Sequence, residues 1–263
     1  MKLAVLFSGG KDSTYAAYLA SKEHNIVCLL SMIAKNPESY MFHTPNIHLT
    51  KIQAEVMNIP LLTQSTDGEK EIELNELKQL IKKAKKKFKI QGVVTGAIKS
   101  TYQATRIQKI CAELKLWCFN PLWQAEEISH LKEIVNTGFI VIITQIAAEG
   151  FDDSWLGKEI HKEEIKKLKR LHKKYKINIA FEGGEAETLV LDGPIFKKKI
   201  KIHLFLNTGM NREGIQDISM FLKAGKKYFS NLEISGFCSH LASADQNSLL
   251  NKKQEEVFLK SLV

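Results

Sequence analysis

Short unbroken apolar runs alternate along this chain with longer stretches in which apolar residues recur every three or four positions. Residues 2–7 (Lys-Leu-Ala-Val-Leu-Phe) and 26–32 are such runs, the pattern of strands buried on both faces of a parallel sheet. Residues 61–63, 92–97 and 139–146 repeat it. Between them, residues 14–22, 46–58, 71–88, 102–116, 126–137 and 161–175 have helical spacing, with Leu77, Leu80, Ile81 and Ala84 on one face of the third. Pro121-Leu122-Trp123 reads as a stop, residues 151–156 as a loop, and residues 182–192 as a glycine turn joined to a strand. Strands and helices alternating at these lengths predict an α/β fold built on a doubly wound parallel sheet. Residues 1–97 are expected to form that domain, residues 98–202 a second, smaller mixed α/β domain, and residues 203–263 an atypical tail. Ligands of such sheets lie beyond the carboxyl ends of the strands. That rule gathers the loop after Phe7, the loop after Ser31 and the turn at Gly96 as walls of one nucleotide cleft.

The loop after the first strand is the most informative stretch. Ser8-Gly9-Gly10-Lys11-Asp12-Ser13 joins a strand to a helix through two glycines. Backbone N–H groups and the helix dipole then point at one spot, which makes an anion site largely of main chain. Gly9 and Gly10 let the backbone approach the anion with no Cβ in the way. Ser8 and Ser13 supply hydroxyl donors, and Lys11 supplies a point charge. The spacing fits neither the Walker A loop nor the dinucleotide fingerprint.

Composition narrows the classes. The chain has 263 residues, 44% of them hydrophobic and 25% charged, as in ordinary globular proteins. No apolar window is long enough to span a bilayer, and the chain runs straight into a strand rather than a signal peptide. Cys28, Cys111, Cys118 and Cys238 include no C-x-x-C pair, so zinc ribbons and redox dithiols are disfavoured and a reducing cytoplasm is expected. The formal charge of +9 is concentrated in residues 82–89 and 162–176. These Lys-rich stretches read as solvated helix faces, with an electrostatic surface for an acidic partner or RNA as the alternative. Nothing resembles an RNA-recognition motif, which argues against a nucleic-acid partner.

Two further clusters carry chemistry. In residues 95–106, Ser100 stands where a helix begins, as a cap or an oxyanion donor, while Gln103 and Arg106 share one helix face. Arg106 is a ligand for phosphate or carboxylate if that face lines a cleft, and an ordinary surface residue if it does not. Glu182-Gly183-Gly184-Glu185-Ala186-Glu187-Thr188 packs three carboxylates around a glycine pair. Such a group holds Mg²⁺, grips an ammonium ion or orients a cationic substrate, or else is an exposed acidic turn.

Together these residues resemble the diphthine–ammonia ligase family, a branch of the N-type ATP pyrophosphatases with an adenine nucleotide alpha hydrolase-like fold. The resemblance runs over residues 1–202 and includes residues 8–13, 38–46, 95–106, 121–123 and 182–188. It implies that ATP adenylates the carboxylate of diphthine on elongation factor 2 and that ammonia then displaces AMP. It implies ATP contacts at Ser8, Gly9, Gly10, Lys11, Asp12, Ser13, Ser31 and Gly96, with Asp12 also sharing a Mg²⁺ ion. Substrate contacts are implied at His43, Asn46, Ser100, Tyr102, Gln103, Arg106, Gly184 and Thr188. Catalytic roles are implied for Asp12, Arg106, Glu185 and Glu187, the two glutamates suiting the trimethylammonium of diphthine or an incoming ammonium ion.

After Ile202 the likeness changes. Residues 206–214 and 232–245, with Arg212 and His240, then Gln254 and Phe258, resemble pyridoxal-phosphate alanine racemases. No lysine matches the Schiff-base position of that family, and Phe205 stands where it usually carries a lysine. A fragment of this length cannot close a barrel of roughly 250 residues, so the tail is expected to be non-catalytic. Competing readings of the whole chain are a tRNA-modifying or small-acid amidating pyrophosphatase, and a non-catalytic adenine-nucleotide sensor. The isolated Cys111 and Cys118 read as core thiols rather than a thiolation pair.

Overall fold

The structure is a computed structural model that describes residues 1–35, 46–69, 71–198, 200–209, 232–244 and 246–261, with Ile215, Ile218 and Ser219. Its first strand, β1 (Lys2–Leu6), buries Leu3, Ala4 and Val5 completely, as a run apolar on both faces requires. Around it lie β2 (Asn25–Ala34), β3 (Leu61–Thr66), β4 (Gly92–Val94) and β5 (Trp117–Phe119), all parallel, in the order β3-β2-β1-β4-β5. The doubly wound parallel sheet expected from the alternation is present. Connections run outward from β1 on one side and outward from β4 on the other. The strand order therefore reverses between β1 and β4, and a crevice opens at their carboxyl ends.

The connecting helices are α1 (Lys11–Ser21), α2 (Thr50–Met57), α3 (Ile72–Phe88) and α4 (Thr101–Glu113). Alternate residues of the strands face opposite sides. Ala4, Cys28, Leu30, Met32 and Val93 meet Leu77, Leu80, Ile81 and Ala84 of α3, and Ile107, Ile110 and Cys111 of α4, in one core cluster. Leu77, Leu80 and Ile81 are each fully buried, worth about 1.5–3 kcal/mol apiece relative to exposure. The opposite face of α3 carries Lys82, Lys83, Lys86 and Lys87 in solvent, and the helix over residues 162–175 likewise exposes Lys166, Lys167, Lys169 and Lys173. Both Lys-rich stretches thus lie in solvent on helix faces.

Three boundaries differ from the sequence pattern. Strand β2 runs on to Ala34, so Ser31 lies inside the strand, paired in register with Thr63 of β3, rather than at the mouth of a loop. Strand β4 stops at Val94, leaving Thr95 to Ser100 as the loop that turns into α4. The short edge strand β5 merges with the helical stretch before it in the sequence pattern, because it is only three residues long and only three residues separate it from the end of α4.

The chain continues with α5 (Glu127–Asn136), β6 (Ile140–Ile146), α6 (Lys162–Tyr175) and β7 (Ala186–Asp192). Strands β6 and β7 pair antiparallel, and β7 also packs against α1. By contact the chain divides into two units, Met1–Lys197 and Lys198–Val263. In the second unit, β8 (Ile200–Phe205) and β9 (Leu232–Cys238) pair in parallel, and α7 (Leu249–Ser261) follows. Buried Gln254 of α7 ties this unit together, accepting from Ala242 N (2.8 Å) and donating to His240 O (3.1 Å). The Phe205 and His240 rings lie 5.4 Å apart. Arg212 and Asp245 fall outside the described residues.

Candidate functional site

At the crevice between β1 and β4, the loop of residues 8–13 turns directly into α1. Gly9 sits at φ +81, a conformation that side chains rarely adopt. A Cβ there would also come within 2.3 Å of Gln53 Oε1. The Gly9 carbonyl accepts from Gln53 Nε2 (3.0 Å) and from Val190 N of β7 (3.1 Å), while Gln53 Nε2 also donates to Val190 O (2.8 Å). Thr188 Oγ1 accepts from Lys11 N at 3.2 Å. Helix α2 and strand β7 therefore clamp the loop from two sides. Within it, Ser8 N donates to Ser13 Oγ (3.2 Å), Gly10 N to Ser8 Oγ (3.4 Å), and Thr14 Oγ1 to Gly10 O (2.8 Å). Gly10 caps α1 with no side-chain hydrogen bond. The remaining N–H groups of the first turn have no partner within the helix, and with the positive end of its dipole they offer donors of the kind that suits an anion.

Gly96 closes the other wall. A Cβ on it would lie 2.8 Å from both Asp12 C and Ser13 N. Only glycine lets the β4–α4 loop rest on the backbone of α1's first turn.

Lys11 and Asp12 point elsewhere than the sequence implied. Lys11 is only 3% exposed, and its Nζ donates to Asp12 Oδ2 (2.7 Å) and to Ala180 O (2.6 Å), with the Phe181 ring centroid 5.2 Å away. It is a buried strut for the carboxylate rather than a free charge for phosphate. The other oxygen, Asp12 Oδ1, lies 2.7 Å from Nε2 of buried His130 on α5. Burial works against ionisation of Asp12, but the Lys11 ammonium and the His130 hydrogen bond outweigh it and hold the carboxyl below the usual carboxylate range. Glu187, on β7 nearby, goes the other way: burial raises its carboxyl, Asp12 adds to the rise and Lys11 opposes it.

The other expected residues divide. Ser31 Oγ donates to Phe7 O (2.6 Å) in the core, so it braces β1 against β2 rather than lining a wall. Ser100 caps α4, accepting from Gln103 N at 3.4 Å, and Glu182 Oε2 accepts from Lys99 N (2.9 Å) and Ser100 N (3.1 Å) at the same turn. Glu185 uses Oε1 on Asn178 N (2.7 Å) and Oε2 on Gly183 N (2.9 Å), and Gly184 takes φ +80. Glu182 is thus bonded to the start of α4 and Glu185 to the loop before it, while Glu187 stands beside Lys11 and Asp12. Arg106 is held between α3 and α4: its Nε (3.0 Å) and Nη2 (2.6 Å) donate to Glu71 Oε1, and it stacks 3.5 Å over the Tyr102 ring. Glu71 and Arg106 border an open groove of about 600 Å³ lined also by Lys78, Lys109 and Glu113. Asn46 precedes a single 3₁₀ turn and accepts from Leu49 N at 2.9 Å. His43 and residues 36–45 around it lie outside the described residues.

Asp12 does not fit as a protein-held Mg²⁺ ligand in this arrangement. Both its oxygens are occupied by cationic or N–H donors at 2.7 Å, and among the described residues no three His, Cys, Asp or Glu side chains converge on the several oxygen ligands a hard cation takes.

Sequence reasoning missed His130 and Gln53. Neither belongs to a short motif. Their only sequence signal is a polar residue on the apolar face of a helix, His130 beside Leu131 and Ile134, and Gln53 beside Ala54 and Val56.

Known proteins similar to this chain agree with one another over its larger unit. Residues 1–117 match the diphthamide synthase N-terminal domain, and residues 126–223 match the diphthamide synthase C-terminal domain, running past Ile202. A diphthine–ammonia ligase of Bos taurus is 36% identical over 220 residues, covering 76% of this chain and 82% of that protein. One from Danio rerio is 35% identical over 224 residues, covering 77% and 86%. A separate, local likeness is to an alanine racemase of Borreliella burgdorferi (strain ZS7), 41% identical over 68 residues, which is 24% of this chain and 17% of the racemase. No helix among the described residues is long and apolar enough to cross a membrane.

Proposed function

This chain belongs to the diphthine–ammonia ligase family, and on that footing we propose that it amidates the carboxylate of diphthine on elongation factor 2, converting ATP to AMP and pyrophosphate. The observation that carries the reading is the helix N-terminus of α1, presented at the switch point of the sheet and clamped by Gln53, Val190 and Thr188.

A carboxylate is a poor acyl donor because oxide is a poor leaving group. In the first step its oxygen attacks the α phosphorus of ATP, the bond to the β-phosphate oxygen breaks, and pyrophosphate leaves as acyl-AMP forms. Negative charge grows on the departing pyrophosphate, and preorganised N–H groups aimed at that point stabilise it. The first turn of α1, with the Ser8 and Ser13 hydroxyls, is such a donor set. In the second step ammonia attacks the acyl carbon, AMP leaves, and the nitrogen loses a proton. Mg²⁺ enters this reading only as the counter-ion that the polyphosphate brings with it. A translation factor, ATP and ammonium meet in the cytoplasm, which is the expected compartment.

Glu187 is the carboxylate we assign to the ammonium ion. Its raised pKa makes it a better proton acceptor than an exposed glutamate. As pH falls through that raised value Glu187 becomes neutral, and the apparent KM for ammonium is expected to rise. Glu187→Gln should show a KM for ammonium raised about tenfold, the worth of a charge-assisted hydrogen bond, with that acid limb flattened and the KM for ATP unchanged. Normal amidation kinetics in the variant remove Glu187 from the reaction.

The test of the whole reading is mass spectrometry of elongation factor 2 carrying diphthine, incubated with the protein, ATP, Mg²⁺ and ammonium. The expected result is an acid-to-amide mass change with one AMP formed per amide. ATP binding without turnover favours a nucleotide sensor. AMP formation that ignores the diphthine protein favours another pyrophosphatase.

A further inference from the structure

The peptide that joins Gly9 to Gly10 has no side chain on either flank, so it is free to present either its N–H or its C=O to a ligand. The Gly10 N–H suits a phosphate, whereas the Gly9 carbonyl repels one. We propose that Gln53 is a positioning residue of the phosphate loop: its side-chain amide holds the Gly9 carbonyl toward α2 and β7, which keeps the Gly10 N–H on the side of the Ser8 and Ser13 hydroxyls, where a phosphate is received. That this phosphate is the pyrophosphate end of ATP rests on the ligase reading above.

Gln53 Nε2 donates to Gly9 O at 3.0 Å and to Val190 O at 2.8 Å, and Val190 N donates to Gly9 O at 3.1 Å. A trans peptide sets its N–H opposite its C=O, so these bonds also fix the direction of the Gly10 N–H. That N–H donates to Ser8 Oγ at 3.4 Å, and Ser8 Oγ lies 3.1 Å from Ser13 Oγ. A distance of 3.4 Å exceeds the usual range for such a bond, and the N–H stays open to a stronger, charged acceptor such as a phosphate oxygen. Gln53 is 6% exposed, and its Oε1 is buried and accepts no hydrogen bond from the described residues. Leaving an acceptor unmet is costly. The reverse orientation, with Oε1 against two carbonyl oxygens, is worse, so this position requires the donor end of the amide. Oε1 lies on the side of Gly9 where a Cβ would stand, 2.3 Å from it. The residue that fixes the peptide therefore also fills the space beside it.

The test titrates inorganic pyrophosphate into the full chain, with affinity read by calorimetry and thermal unfolding followed in parallel. Glycine labelled with ¹³C at the carbonyl and ¹⁵N at the amide leaves only Gly–Gly peptides in a carbonyl-selected amide spectrum. The sequence holds two, Gly9–Gly10 and Gly183–Gly184, and Gly183→Ala tells them apart. In the wild type the Gly10 amide proton is expected to move downfield as pyrophosphate binds, the mark of a hydrogen bond to an anion. Gln53→Met keeps the length of the side chain and removes its donors. It is expected to weaken binding about tenfold, as loss of a buried amide's hydrogen bonds does, and to lose most of the Gly10 shift at saturation. Gln53→Glu keeps the shape but turns a carboxylate to the two carbonyls, and is expected to bind no better than Gln53→Met. An amide that served stability alone would lower the unfolding temperature and leave the Gly10 shift at saturation intact. Binding by Gln53→Met within about twofold of the wild type, or a full Gly10 shift in it at saturation, overturns the proposal. So does a wild-type Gly10 amide that stays in place while pyrophosphate binds. If Gln53→Met does not fold, Gln53→Asn, whose shorter amide falls short of Gly9 O, is judged by the same two readings. A wild-type protein that shows the Gly10 shift yet makes no amide sinks the ligase reading and leaves the role of Gln53 standing. Amidation with no Gly10 shift does the reverse.

Discussion

Gly96→Ala is expected to slow pyrophosphate release on the order of a hundredfold and to lower stability by roughly 1–3 kcal/mol, the usual cost of forcing a methyl into a filled space. The added Cβ meets Asp12 C and Ser13 N at 2.8 Å, both backbone atoms of α1's first turn. Neither can rotate away, so the β4–α4 loop and the helix end must part. That separation opens the crevice at the point where a phosphate would lie, and a misplacement of about 1 Å at a reacting centre costs on the order of a hundredfold in rate. Gly9→Ala makes an informative contrast. Its Cβ meets the tip of Gln53 at 2.3 Å, and its φ of +81 adds backbone strain. Gln53→Ala in the Gly9→Ala background relieves the clash but not the strain, and is expected to recover stability only in part. No second substitution is expected to rescue Gly96→Ala. Urea unfolding and a coupled pyrophosphate-release assay measure both; wild-type turnover in Gly96→Ala would show that the two walls are not in contact.

Most of the sheet and its helices were legible because β1, β2 and β4 are apolar runs and each helix carries an apolar stripe. The periods differ, and Gly9, Gly10 and Gly96 mark the turns between them. The anion loop was legible for the same reason: it is local, six consecutive residues whose chemistry is mostly backbone. What the sequence could not show is where long side chains go. Lys11 looked like a phosphate ligand and is buried on Asp12 and Ala180 O. Arg106 read either as a cleft ligand or as a surface residue; it borders a groove, yet its guanidinium is paired with Glu71, from a helix start 35 positions earlier. Glu185 looked catalytic and accepts from the backbone N–H groups of Gly183 and Asn178 in the loop that precedes it. Each outcome depends on a partner distant in sequence or on a local hydrogen bond that residue spacing does not encode. His130 was missed for the complementary reason: a single histidine on a helix has no pattern until the fold brings Asp12 to it.

Lys11→Met is expected to lower stability at neutral pH by about 3 kcal/mol, the low end of the cost of breaking a buried pair. The low end applies because Asp12 keeps 24% of its side-chain surface in solvent. The methionine fills the space of the lysine stem but leaves Asp12 Oδ2 and Ala180 O without their donor. The pH dependence identifies the cause. The folded Asp12 carboxyl is held below its unfolded value, burial resisting and Lys11 and His130 prevailing. Its contribution is therefore complete above the unfolded carboxyl range, near pH 4, and fades as pH falls through the lower folded value. Without Lys11 the strongest stabiliser of the anion is gone, so Asp12 protonates at higher pH in the variant. The gap between wild type and Lys11→Met should thus be widest near pH 7 and narrow as the solution is acidified below pH 4. Asp12→Asn in the Lys11→Met background removes the stranded charge and is expected to restore part of the loss, because an amide costs less to bury than a carboxylate. Denaturant midpoints of the four proteins across that pH range decide the matter. A pH-independent gap would mean that Lys11 acts by packing on Phe181 and not as the counter-charge of Asp12.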